Sequence, residues 1–382
     1  MKQIRYNQQY LDNKDKNSII KALNQNLITG GQSVNNFEKE LKKFLNVKYA
    51  LTCSNGTAGL HLAFEAIKLK KNDVVIMPII NFIASFSMAN LYQAKVFFAD
   101  VDSSTGQMTP ETLNKCIKLN NLKKIKAVIL MYMGGYPDNV FSFYKLKKFH
   151  KFYIIEDACH AFGASYKVGG NFFKIGCCKH SDLSVFSFHP VKTITTGEGG
   201  LVCTNNKKFN SIIKNFRNHN IIRNKNYWDY NISKPAFNYR LSDINCALGI
   251  SQLKKIKHII SSRRKIFKTY FDSFKNYSTI LNFRKLNQFE NPSFHLGILN
   301  ISFKRNRNKD KLIKYLNKHN IFPQYHYKPI NLFSFTKKIK INLKNFRGAK
   351  KYYLSSISLP LYVNIKINEV KKISKLIVNY LN

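Results

Sequence analysis

Two neighbouring pieces of sequence decide the fold: FYIIEDACHAFGA, residues 152–164, and DLSVFSFHPVKTITTGEGGLVCT, residues 182–204. The first opens with an apolar run that ends in Glu156-Asp157. Such a run is the mark of a strand buried on both faces of a parallel sheet. Ligands of these sheets sit beyond the carboxyl ends of the strands, so Asp157 stands where a carboxylate meets a ligand. The residues alone leave two readings of it. It caps a following helix, or it hydrogen-bonds a protonated ring nitrogen and keeps that nitrogen cationic. The second piece is a strand, 183–188, then a loop with His189 and Lys192, then Gly197-Glu198-Gly199-Gly200 and another strand. A lysine after a strand is ordinarily solvated. Lys192, however, stands among apolar and hydroxyl-bearing residues poor in other cations. A desolvated lysine loses proton affinity and can attack a carbonyl to form a Schiff base. Ser187, five residues earlier, can aim a hydroxyl at a phosphate. The glycines let backbone pass close to a bulky ligand.

Outward from this core, short apolar strands alternate with helical stretches. Strands are expected at 48–54, 74–78, 95–100, 127–133, 152–157, 183–188 and 200–204, with helices at 58–69 and 110–119. That alternation predicts an α/β fold with a mixed, mostly parallel sheet. Residues 241–275 read as one long helix, with a strand over 293–303, a helix over 310–319, an extended segment over 321–328 and a terminal helix over 368–381. The expected division is a large α/β domain over 1–250, with an N-terminal substrate-contacting segment, and a small α+β domain over 251–382.

A third motif, LTCSNGTAGLHLAF at 51–64, is strand, turn and helix. At Asn55-Gly56-Thr57-Ala58 free backbone N–H groups and the positive end of the helix dipole converge, which suits a phosphate. An ordinary helix start has the same look. Phe82, in NFIASFSMAN, can cover an aromatic ring by stacking, although a lone Phe is more often a core residue.

The 382 residues include 63 Lys plus Arg against 20 Asp plus Glu, a formal net charge of +43. Such excess first suggests nucleic acid or an anionic membrane surface. Its distribution argues otherwise. Residues 51–100 hold 4 basic and 3 acidic residues and 151–200 hold 5 and 4, whereas 251–350 hold 24 and 3. The motif-bearing stretches are nearly neutral, and no nucleic-acid-binding motif is present. The abundance of Asn, Ile, Phe and Tyr beside Lys fits compositional drift, with most lysines as solvated charge. A 44% hydrophobic, 14% aromatic chain is too apolar for disorder. No apolar run approaches a membrane span of about 20 residues, and residues 1–16 lack the apolar core of a secretory signal. Seven cysteines without CxxC spacing give neither a disulfide framework nor a zinc pattern. The expectation is a cytoplasmic protein without nucleic-acid or membrane partners and without a metal.

Anion cradle, ring-nitrogen acid, phosphate hydroxyl and Schiff-base lysine together describe a pyridoxal 5′-phosphate enzyme. With IIEDACHAFGA, SVFSFHPVKTITTGEGG and FNYRLSDINCALGISQLKKI, the chain resembles the DegT/StrS family of sugar aminotransferases over nearly its whole length. That family has the aspartate-aminotransferase (type I) fold. LITGGQSVNNFEKEL, SFHPVKTITTGEGG and YHYKPI further resemble its pseudaminic-acid branch. The resemblance implies UDP-4-keto-4,6-dideoxy-N-acetyl-β-L-altrosamine as amino acceptor, L-glutamate as donor, and UDP-4-amino-4,6-dideoxy-N-acetyl-β-L-altrosamine as product.

Residue by residue, it implies that Lys192 holds the cofactor as a Schiff base and shuttles protons, while Asp157 pairs with the pyridine nitrogen. Gly56, Thr57, Ala58 and Ser187 bind the phosphate, and Phe82 and His160 pack against the ring. Asn238 resembles the residue that reaches the phosphate from the partner subunit of a homodimer. Tyr6, Asn26, Leu27, Ile28 and Thr29, with His326, Tyr327, Lys328 and Pro329, resemble sugar-nucleotide contacts. Arg240 competes between donor-carboxylate binding and a structural role. The alternatives are another nucleotide 4-keto sugar, of bacillosamine or perosamine type, and a basic nucleic-acid- or membrane-surface-binding protein on the same fold. Retention of Lys192 and Asp157 speaks against the latter.

Overall fold

The computed structural model describes residues 3–226, 228–304, 307–338 and 346–381. Its centre is a seven-stranded sheet. In chain order the strands are β1 (Tyr49–Cys53), β2 (Val74–Pro78), β3 (Lys95–Ala99), β4 (Ala127–Met131), β5 (Tyr153–Asp157), β6 (Leu183–Ser187) and β7 (Gly200–Thr204). Their spatial order is β1-β7-β6-β5-β4-β2-β3. β7 runs antiparallel to both neighbours and the remaining pairs are parallel, so the sheet is mixed but mostly parallel.

Period-two alternation assigns successive residues of each strand to opposite faces. Ile154, Val128 and Leu201 enter one core with Phe37, Phe162 and Phe188. Ile155, Ile129 and Val202 enter the other with Leu62, Phe64 and Ile213. Both faces are thus buried, which is why these strands read as unbroken apolar runs rather than as alternating ones. Each fully buried Ile or Leu contributes about 1.5–3 kcal/mol of transfer free energy.

A third core lies under a three-stranded antiparallel sheet, Leu281–Phe283, Gly297–Ile301 and Ser356–Leu359. Helices Lys309–Lys318 and Ile367–Leu381 pack on it through Leu312, Leu316, Val370, Ile373 and Ile377. Helix Ile256–Ser273 joins the layers, with Ile256 and Ile259 in the first core and Ile266, Phe267 and Tyr270 in the third. The chain start is stitched to the C-terminal part, since Ile4 and Arg5 pair in parallel with Ile321 and Phe322.

The expected single helix over 241–275 is two helices, Asp243–Lys254 and Ile256–Ser273, broken at Lys255 (φ −99°, ψ 0°). The Lys255 ammonium lies 3.0 Å from an Asp12 oxygen and also pairs with Asp15. The extended segment expected over 321–328 is a strand only at Ile321–Phe322, followed by a single bridge between Gln324 and Ser358.

Candidate active site

β5 delivers Asp157 at its carboxyl end, almost fully buried. No helix follows, because residues 158–164 are turns; the capping role is therefore ruled out. One carboxylate oxygen accepts the Ser85 hydroxyl at 3.0 Å and the other the Cys159 amide at 3.4 Å. Ser85 lies on helix Ile83–Leu91, just after Phe82. Phe82 is 52% exposed, so it is not a core aromatic, and its ring centroid is 5.7 Å from that of Tyr327. The exposed part of Phe82 is available to a planar ligand.

Beside β5, β6 ends in Ser187 and leads to Lys192. Desolvation pulls the Lys192 proton affinity below that of an ordinary lysine, while Cys159 and Asp157 act in the opposite sense. Helix Gly56–Ala66 starts next to both strands. Asn55 caps it by accepting the Ala58 amide at 2.8 Å. The first amides of a helix, here Gly56 and Thr57, have no intrahelical acceptor. A Cβ on Gly56 would lie 3.1 Å from Ser187 Cβ and 3.2 Å from Cys159 Sγ. The helix N-terminus, Ser187 and the turn after Asp157 therefore meet tightly at Gly56, where any Cβ would force its neighbours apart by a few tenths of an ångström.

Across from Lys192 stand three buried histidines. His160 Nε2 is 2.9 Å from the Tyr327 hydroxyl. The His295 ring lies 4.4 Å from the His160 ring, and His326 Nδ1 is 2.8 Å from Ser358 Oγ. Burial lowers the proton affinity of all three, with Lys192 adding to the effect; His326 falls to about 3. They are neutral near pH 7, which leaves Lys192 free of a competing cation. Tyr6 packs 5.1 Å from His326, ring to ring. Nδ1 of His160, Nδ1 of His295 and both amide atoms of Asn81 are buried without partners. Orphaned polar atoms, a cradle tight against any Cβ at Gly56 and a desolvated amine are what a phosphorylated aromatic aldehyde requires, so the residues fit the cofactor.

The structure thus gathers Gly56, Ala58, Phe82, Asp157, His160, Ser187, Lys192, Tyr6, His326 and Tyr327, with exposed Thr57 at the rim. Pro329 is buried in the same segment, and the Lys328 ammonium lies 5.2 Å from the Phe333 ring centroid. Asn26, Leu27, Ile28 and Thr29 lie outside this cluster. They are exposed and tied to the start of helix Asp243–Lys254: the Ile28 carbonyl accepts the Asp243 amide at 2.9 Å, and the Asp243 carboxylate accepts the Gly31 and Ser33 amides at 2.7 Å. Asn238 is exposed and accepts the Arg240 amide through Oδ1 at 3.3 Å. Its neighbour Tyr239 accepts the Ser54 amide at 2.9 Å, so this segment borders its own chain's cradle. Arg240 pairs with Asn218. Ser85 and His295 escaped the sequence reading. Ser85 has a signal, three residues after Phe82 on one helix turn; His295 has none.

The sequence pattern of the DegT/DnrJ/EryC1/StrS aminotransferases matches residues 9–378. A Campylobacter jejuni UDP-4-amino-4,6-dideoxy-N-acetyl-beta-L-altrosamine transaminase is 36% identical, over 96% of this chain and 95% of its own. An Escherichia coli O157:H7 GDP-perosamine synthase is 34% identical over 75% of this chain and 74% of its own. Among solved structures, Helicobacter pylori PseC, an aminotransferase of pseudaminic-acid biosynthesis, superposes with a TM-score of 0.91 at 29% identity. It covers 100% of this chain and 99% of its own.

Proposed function

This chain belongs to the DegT/DnrJ/EryC1/StrS aminotransferase family, and from that premise we propose that it makes UDP-4-amino-4,6-dideoxy-N-acetyl-β-L-altrosamine for pseudaminic-acid biosynthesis. The amino group passes from L-glutamate, which leaves as 2-oxoglutarate, to C4 of the UDP-linked 4-keto sugar, whose ketone oxygen leaves as water. The cofactor is pyridoxal 5′-phosphate. Bound, it supplies an electron sink that stabilises the carbanion formed when a proton leaves the carbon bearing nitrogen. The observation that carries the proposal is the desolvated Lys192 facing Asp157 beside the cradle at Gly56.

The protein residues divide the work. The Gly56 and Thr57 amides and the Ser187 hydroxyl bind the phosphate at the helix N-terminus. Asp157, fixed by Ser85, accepts the N–H of the pyridine ring and holds its positive charge in place. Phe82 and His160 confine the ring. Lys192 binds the cofactor between turnovers, and once displaced its amine takes the donor's α-proton and returns a proton to the sugar carbon. Burial makes His160, His295 and His326 weaker bases than an ordinary histidine, and the amine of Lys192 is the group placed to carry the shuttle. Tyr6 and 326–329 contact the sugar nucleotide from one side and 26–29 from the neighbouring surface, with Lys328 suited to the diphosphate.

Asn238 serves the partner's phosphate in a homodimer. Support comes from the hairpin Ile221–Arg223 and Tyr230–Ile232, where Ile222, Tyr230 and Ile232, with nearby Phe237, are exposed apolar side chains. We divide the chain near residue 250, within helix Asp243–Lys254 and a few residues before the break at Lys255, and the enzyme works in the cytoplasm. Among the described residues no helix is long and apolar enough to cross a membrane.

Borohydride reduction of the pyridoxal-phosphate-loaded chain, then peptide mapping, tests the site. A pyridoxyl adduct on Lys192, absent from Lys192→Ala, is the expected result. A chain that takes up no cofactor, or an adduct on another lysine, overturns it.

A further inference from the structure

Three side-chain amides, one near the chain start and two from helix Asp243–Lys254, grip the backbone of the Lys192 loop. Asn7 Nδ2 donates to the Val191 carbonyl at 2.9 Å. Gln252 Oε1 accepts the Thr195 amide at 3.5 Å, and Asn245 Nδ2 donates to the Thr196 carbonyl at 2.5 Å. Asn7 holds the residue directly before Lys192, and its orientation is dictated from elsewhere. Its Oδ1 accepts from the Gln8 amide at 2.8 Å and from Arg263 Nη2 at 3.2 Å. An amide oxygen committed to two donors leaves its NH₂ to face the opposite way, onto Val191.

Arg263 is unusual in its own right. It is 2% exposed and occupies the apolar stripe of helix Ile256–Ser273, in line with Ile259, Ile266 and Tyr270. No carboxylate is ion-paired with it among the described residues. Instead Nη1 donates to the carbonyls of His295 and Leu361, each at 3.1 Å, and of Phe294 at 3.5 Å. His295 packs on His160, and the Leu361 amide donates to the Tyr6 carbonyl at 3.0 Å. An unpaired guanidinium is costly to bury, and an apolar side chain would fill the stripe more cheaply. What the charge does there is orient acceptors, and each of them leads to a segment of the active site.

We propose that Asn7, oriented by Arg263, is a positioning residue that aims Lys192 at the cofactor aldehyde. This rests on the assignment of Lys192 above.

Asn7→Asp is the discriminating variant. A carboxylate there keeps its acceptors for Gln8 and Arg263 and gains an ion pair with Arg263. It also puts an oxygen where Nδ2 met the Val191 carbonyl, and the two oxygens repel. The cofactor-free chain is mixed with pyridoxal phosphate and borohydride-quenched at intervals, and the Lys192 adduct is counted by mass. Thermal unfolding is recorded beside it. The expected result is adduct formation slowed roughly tenfold to a hundredfold, with an unfolding midpoint at or above wild type. In the loaded enzyme kcat falls and KM for the sugar nucleotide holds. Asn7→Ala, which removes the grip without adding repulsion, is slowed less. Trapping by Asn7→Asp at the wild-type rate overturns the proposal, as does a slowing that tracks lost thermal stability. A wild-type chain that forms no Lys192 adduct overturns the Lys192 assignment and this inference with it, so the two failures are distinct.

Discussion

Acid should weaken this protein through a specific side chain, His326. In the fold its imidazole is buried, with Nδ1 bonded to Ser358 Oγ, and its proton affinity corresponds to a pKa of about 3 against 6.5 for the free side chain. Desolvation is the main cause and Lys192 adds to it. The sign follows from proton counting. Between those two values the unfolded chain binds the proton and the folded chain does not, so stability falls as pH drops below 6.5. From about pH 7.5 to about pH 5 the unfolded histidine gains some 1.5 pH units of proton binding, worth about 2 kcal/mol. Other groups titrate in this range, and Glu290, raised to about 7 chiefly by desolvation, pulls the other way. The measurement is therefore a difference. Wild type and His326→Asn, whose amide can keep the Ser358 bond, are unfolded in urea at both pH values without cofactor. The variant should lose about 2 kcal/mol less than wild type on acidification, roughly half a molar in urea midpoint for a chain of this size. Equal losses in the two proteins would refute the reasoning about His326.

Three further perturbations probe the site and its supports. Gly56→Ala puts a methyl 3.1 Å from Ser187 Cβ, so the helix start and Ser187 must part by a few tenths of an ångström; a cost of about 1–3 kcal/mol is expected in cofactor binding, read by equilibrium titration of the visible band. Ser85→Ala leaves one Asp157 oxygen without its hydroxyl donor; kcat should fall about tenfold with stability lowered by about 1 kcal/mol, measured by steady-state kinetics and urea unfolding. Gly249→Val drives a side chain into the buried Phe37 ring, which already lies 2.4 Å from any Cβ there; thermal unfolding should show a loss of more than about 2 kcal/mol, while a variant as stable as wild type would contradict the packing of helices Gln32–Leu45 and Asp243–Lys254.

The central sheet was legible because burial on both faces writes each strand as an apolar run. All seven expected strands overlap those observed, and Val74–Pro78 and Gly200–Thr204 agree to the residue. The break at Lys255 was not legible. Apolar spacing continues through it, and the ion pairs with Asp12 and Asp15 come from the other end of the chain. Lys192, Asp157 and Ser187 were legible since sequence-local strand ends carry them. Asn7, Arg263 and His295 meet only in three dimensions. Arg263 did leave a sign, a cation on an apolar stripe, but it was hidden in a basic stretch read as solvated. That reading holds for exposed Lys254, Lys257, Lys265 and Lys268 and fails for Arg263 and for half-buried Lys255.

The most direct measurement follows nitrogen. Heavy-nitrogen-labelled L-glutamate and the UDP-linked 4-keto-altrosamine are incubated with the loaded enzyme, and the sugar nucleotide is analysed by mass and NMR. The account predicts labelled UDP-4-amino-4,6-dideoxy-N-acetyl-β-L-altrosamine with an equal amount of 2-oxoglutarate, and neither product from Lys192→Ala. Efficient amination of a GDP-linked 4-keto sugar, with the altrosamine precursor left untouched, would contradict it.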